Sequence, residues 1–158
     1  LTEIGLVIKV YGTFATIIGA FLGGALVVRY GIMWPLLVGA VLLALTNLLF
    51  SVLALVGPDL VMLTATITAD NLSAGLAGTV FIAYLSSLTN TAYTATQYAL
   101  FTSLMTLPGK FLGGFTGLAV DAIGYAEFFI YAALAGAPAV VLVVVLMRAE
   151  RGQGFRRA

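Results

Sequence analysis

Hydrophobic residues run along this chain in blocks of more than twenty, separated by short polar or glycine-bearing turns. An apolar run of about 20 residues crosses the roughly 30 Å hydrocarbon core of a bilayer as a helix. Five such blocks are readable, at about residues 4–28, 33–56, 60–88, 93–120 and 126–147. The breaks between them are Arg29-Tyr30-Gly31, Gly57-Pro58-Asp59, Thr89-Asn90-Thr91 and Asp121-Ala122-Ile123-Gly124. A membrane β-strand needs only about 9–11 alternating residues, so blocks of this length predict helices. Short turns predict antiparallel neighbours. The expected fold is all-α and membrane-integral, with residues 1–147 in one bundle of five helices and residues 148–158 as a basic tail. No linker, low-complexity stretch or second domain interrupts the pattern.

The placement of charge orients the bundle. By alternation, Arg29 and the tail residues Arg148, Arg151, Arg156 and Arg157 fall on one side. Glu3, the Gly-Pro-Asp turn and the Asp121–Glu127 turn fall on the other, without a basic residue. Positive charge favours the cytoplasm, so the first helix is expected to run out to in and the C-terminus to be cytoplasmic. Tyr30 and Trp34 fall at the inner interface and Tyr125 at the outer, the depth amphipathic rings prefer.

Composition narrows the function classes. The chain is 62% hydrophobic and 8% charged, against roughly 25% charged in soluble domains. It has no Cys and no His, which removes disulfides, thiolate chemistry and the usual zinc sites. No G-x-S-x-G and no paired carboxylates are present, so an enzyme is not expected, nor a metal or a cofactor. A net charge of +1 gives no reason to expect nucleic acid. The chain opens Leu-Thr-Glu, without Met or a basic leader, and reads as a piece of something longer.

Three charges remain inside the spans: Lys9, Asp70 and Lys110, on the first, third and fourth helices. A charge near the bilayer centre costs at least ~2.5–3.5 kcal/mol on insertion scales, so it faces protein or water and marks a functional position by default. These three helices are therefore expected to be inner, and the uncharged second and fifth peripheral. At a rise of ~1.5 Å per residue, Asp70 and Lys110 each lie roughly 15 Å from an outer turn, at matched depth; Lys9 is shallower. An ion pair or a shared polar cavity would satisfy both. Polar and small residues extend the picture in helical register: Lys9, Thr13, Thr16 and Ala20; Thr66, Asp70, Ser73 and Ala77; Thr64, Asn71, Gly75 and Gly78; Ser103, Thr106 and Lys110. Gln97 lies nearer the inner end, and Pro108-Gly109 is expected to kink the fourth helix. Gly19 with Gly23, and Gly109 with Gly113 and Gly117, have the four-residue spacing of close helix packing.

Two stretches resemble a known family. "GAFLGGALVVRYG", residues 19–31, resembles the degenerate second copy of the Gly-rich loop between helices 8 and 9 of the major facilitator superfamily. The stretch "DNLSAGLAGTVFIAYLSSLTNTAYTATQYALFTSLMTLPGKFLGG", residues 70–114, and "EIGLVIKVYGTFATIIGAFLGG", residues 3–24, resemble the AmpG-type muropeptide permeases. That branch includes the acetyl-coenzyme A transporters. Asp70 stands where the family has Glu, and Lys110 where it has Arg.

The resemblance implies helices 8 to 12 of a twelve-helix core, most of a C-terminal bundle, whose missing N-terminal half would supply the other wall. It implies proton-driven import of anhydro-muropeptides across a bacterial inner membrane for peptidoglycan recycling. Asp70 is then the proton-coupling group, and Lys110, Lys9, Asn71, Gln97 and Thr106 contact the small-molecule substrate. Transport of another anion, such as acetyl-coenzyme A, is the alternative within the superfamily. A non-transporting membrane scaffold is the alternative outside it, but a scaffold has no use for Asp70 and Lys110 at matched depth.

Overall fold

A computed structural model describes the backbone of residues 2–89 and 94–155. Six helices appear: α1 (Thr2–Tyr30), α2 (Met33–Val56), α3 (Leu60–Leu88), α4 (Thr94–Gly113), α5 (Thr116–Ile123) and α6 (Tyr125–Phe155). There is no strand among the described residues. Among the described residues four stretches are long and apolar enough to cross a membrane: Lys9–Tyr30, Met33–Val56, Leu60–Leu88 and Tyr125–Ala149.

The helix ends follow local chemistry. Gly57 closes α2 at φ 90° and donates its N–H to the Leu53 carbonyl at 3.1 Å. Gly124 ends α5 in the same way at φ 81°, with its N–H on the Val120 carbonyl. Only glycine adopts these angles without strain. Asp59 caps α3: its carboxylate accepts from the Met62 N–H at 2.8 Å, satisfying one of the donors a helix start leaves open. Replacing Asp59 with alanine should cost about 1 kcal/mol. A thermal melt in detergent checks this: Asp59→Ala melts a few degrees lower, and Asp59→Ser stays close to the parent.

Small residues choose the packing partners. A Cβ added to Gly19 would run into the Leu72 carbonyl, and one added to Gly75 into the Thr16 carbonyl; at Gly23 it would stand 2.7 Å from the Leu76 carbonyl oxygen. The backbones of α1 and α3 therefore touch along their length. On its other side α3 meets α2, where a Cβ added to Gly39 would stand 3.0 Å from Ala77. Leu36, Leu76, Val80 and Val143 form the buried cluster joining α2, α3 and α6. Ser51 donates its hydroxyl to the Ala126 carbonyl at 2.8 Å, and Phe50 stacks on Phe129 with centroids 5.0 Å apart, so α6 is fixed to α2. The helices stand in the order α1–α3–α2–α6, with α1 and α2 touching little. Short turns had predicted that consecutive helices pack together. For α1 and α2 close packing at glycine overrides turn length, because tight backbone contact is what draws helices together where hydrophobic burial cannot.

Two boundaries differ from the sequence reading. The fourth span, expected over 93–120, is two helices. The break is at Gly114–Phe115, and α4 continues through Pro108. The Gly114 N–H is shared between the Lys110 and Phe111 carbonyls at 3.3 Å each, and the Phe115 N–H bonds to Leu112. This is the tightening of a 3₁₀ turn, placed at a glycine pair where helix propensity is weakest. The basic tail is not separate either: α6 runs without a break to Phe155. Residues 90–93 and 156–158, within the third turn and the tail, lie outside the described residues.

A polar groove between α1 and α3

Lys9, Thr13 and Thr16 recur at the spacing of one helix face, and α1 presents that face beside α3. With Gly12, Ile17, Ile67 and Asn71 they line an open groove of about 510 Å³. The Thr13 hydroxyl donates to the Lys9 carbonyl at 2.9 Å. The Thr16 hydroxyl lies 3.0 Å from the Gly12 carbonyl and 3.0 Å from Asn71 Oδ1. Asn71 Nδ2 donates to the Ile67 carbonyl at 2.8 Å. Gly12 is buried, and a Cβ there would stand 3.1 Å from Asn71 Nδ2, so its lack of a side chain leaves room beside the carboxamide. Lys9 is exposed on the rim.

Asp70 belongs to a different face. It is half-buried and in helical register with Ala74, Gly78 and Phe81. Those three line an apolar cavity of about 530 Å³ between α2, α3 and α6, bounded by Met105 of α4. Among the described residues no hydrogen bond or ion pair falls to the side chain of Asp70 or of Lys110. Of the two arrangements open to Asp70 and Lys110, the ion pair is not formed: Lys110 is exposed on α4, which barely touches α3. Depth is only one coordinate of a side chain, and the broken fourth span does not bring α4 round to Asp70. Thr106 is exposed and its hydroxyl bonds the backbone of its own helix, at Thr102 and Ser103. Gln97 is half-buried and engaged with a neighbour.

The structure thus brings Lys9 and Asn71 together and leaves Asp70, Lys110, Gln97 and Thr106 apart from them. Gly19 and Gly23 pack helix on helix as their spacing predicts. Among the described residues Gly109, Gly113 and Gly117 do not: a Cβ at any of them meets nothing within 4 Å. Sequence reasoning missed Gly12, whose signal was its place four residues before Thr16. It also missed the Thr68–Tyr11 contact at 3.3 Å that ties α3 to α1 nearby. Among the described residues no cluster of three metal-ligating side chains occurs.

No protein-family model matches the chain. Curated relatives do. The chain is 36% identical over 128 residues, 81% of its length, to "Putative transporter AmpG 3" of Rickettsia prowazekii, covering 30% of that protein. It is 32% identical over 143 residues to the "Anhydromuropeptide permease" of Escherichia coli K12, 90% of this chain and 29% of that one. It is 31% identical over 144 residues to "Putative transporter AmpG 4" of Rickettsia conorii, 91% of this chain and 35% of that one. The chain spans about a third of the length of these relatives. Likeness along most of its residues to proteins so named, joined to long apolar helices packed through glycine, makes the chain a multi-pass membrane protein of the AmpG, or anhydromuropeptide permease, family of major facilitator transporters.

Proposed function

We propose that the chain forms helices 8 to 12 of a secondary transporter that imports anhydro-muropeptides, driven by protons, across a bacterial inner membrane. The observation that carries this reading is the Lys9–Thr13–Thr16–Asn71 groove, in a chain whose relatives include a protein named for muropeptide permeation. A sugar-peptide offers hydroxyls, amides and carboxylates, and the groove offers an ammonium and a carboxamide to them. Substrate sites in transporters of this kind lie near the midplane between two halves, so an N-terminal half supplies the facing wall. On this reading α4 carries Lys110, Gln97 and Thr106 toward that wall, and Asp70 takes and releases the coupling proton. The basic C-terminal residues face the cytoplasm, the bilayer surrounds the apolar faces, and the protein is a carrier, not an enzyme.

Vesicles bearing the full-length protein test the proposal. Labelled anhydro-muropeptide should accumulate against its gradient when a proton gradient is imposed, and a protonophore should collapse the accumulation. Uptake no better than that of empty vesicles sinks the substrate assignment; accumulation that survives the protonophore sinks the proton coupling.

A further inference from the structure

We propose that Thr16 is a positioning residue that fixes the Asn71 carboxamide, so that Asn71 and Lys9 form a two-donor subsite for a carboxylate of the solute. The inference rests on the transport reading above and assigns a specificity role within the same groove.

The Asn71 carboxamide sits on the groove wall with two of its bonding positions committed. Nδ2 donates to the Ile67 carbonyl, and Oδ1 faces the Thr16 hydroxyl. A backbone carbonyl only accepts, so the nitrogen must be the atom turned toward Ile67. A carboxamide nitrogen carries two N–H groups, and a single one of them is used there. The other remains as a donor on the wall of the groove that Lys9 also lines. The Thr16 hydroxyl lies equally close to the Gly12 carbonyl four residues back on its own helix, a contact that selects its χ1 rotamer. Its one proton is shared between that carbonyl and Asn71 Oδ1, which ties the amide to α1 and opposes rotation of the amide about χ2. Gly12 keeps the space beside Asn71 Nδ2 open. An ammonium and a fixed N–H favour an anionic acceptor over a neutral one, because hydrogen bonds to charged groups are the stronger. Thr13 does not compete, since its own hydroxyl proton is spent on the Lys9 carbonyl.

The experiment measures uptake by the full-length protein carrying Thr16→Val, which keeps shape and removes the hydroxyl, with Thr16→Ser as rescue. Two solutes are compared: an anhydro-muropeptide with a free C-terminal carboxylate, and the same molecule as its C-terminal amide. Thr16→Val should raise KM for the carboxylate solute roughly fivefold, the size of one neutral hydrogen bond, with maximal rate and membrane level within about twofold of the parent. It should also reduce the preference for carboxylate over amide, and Thr16→Ser should restore both. Should Thr16→Val fail to reach the membrane, Thr16→Ala carries the test, with the same rise in KM and loss of selectivity expected and parental values overturning the subsite. A transporting parent whose Thr16→Val form keeps the same KM and selectivity overturns the subsite alone. A parent that takes up no anhydro-muropeptide overturns the transport reading and the subsite with it.

Discussion

Gly75→Ala should lower the stability of the bundle by about 2 kcal/mol, while Gly78→Ala, three residues on, should leave it unchanged or slightly raised. The two substitutions make the same chemical change on the same helix. In an exposed helix, Gly→Ala stabilises by up to about 1 kcal/mol through backbone entropy. At Gly78 nothing within 4 Å opposes that gain. At Gly75 the new methyl runs into the Thr16 carbonyl of α1 and the backbone nitrogen of Ala20 beyond it. Both are backbone atoms, which cannot swing aside as a side chain can, so α1 must retreat along its contact with α3. Overpacking of this kind costs about 1–3 kcal/mol, enough to outweigh the entropic gain. Thermal unfolding of the full-length protein in detergent, with the amount inserted in the membrane as a second readout, separates the two variants. Equal melting of both would mean that α1 and α3 are not in backbone contact at Gly75.

That contact also marks where the sequence stopped being legible. The turns were readable because glycine and Asp59 announce themselves chemically: Gly57 and Gly124 take positive φ, and Asp59 caps. The membrane character was readable because apolar blocks of this length have no other use. The partner of each helix was harder. Gly12, Gly19, Gly23, Gly39 and Gly75 settle it, yet the same spacing in Gly109, Gly113 and Gly117 packs against nothing among the described residues. Small-residue spacing says that a helix can be approached closely, not which helix approaches. The site was legible by halves for a related reason. Lys9 and Asn71 share a groove because α1 and α3 pack face to face. A count along the chain gives Lys110 and Asp70 one depth, but Lys110 is exposed on α4, which barely touches α3, and the count crosses the break at Gly114. A linear count along the chain carries depth; it carries no azimuth across a broken helix.

Asp70→Asn should abolish uphill accumulation of solute, by at least about tenfold, while exchange of internal for external solute continues. The substitution keeps the shape of the side chain and removes its ability to exchange a proton. It also breaks nothing visible, since among the described residues the Asp70 side chain holds no hydrogen bond or ion pair, so the amount of folded protein should be unchanged. Asp70 stands half-buried on the stripe that continues through Ala74, Gly78 and Phe81, the face of α3 turned to the cavity it shares with α2 and α6. An ionisable side chain inside an apolar helix long enough to cross a membrane is expensive to keep, and on the proposed reading a change of its protonation state gives it a use. Exchange needs the rocking motion but no net proton movement, so a coupling residue is dispensable for it and an anchor is not. Loss of both activities together would make Asp70 structural, and uphill uptake with normal gradient dependence would put the proton site elsewhere in the transporter.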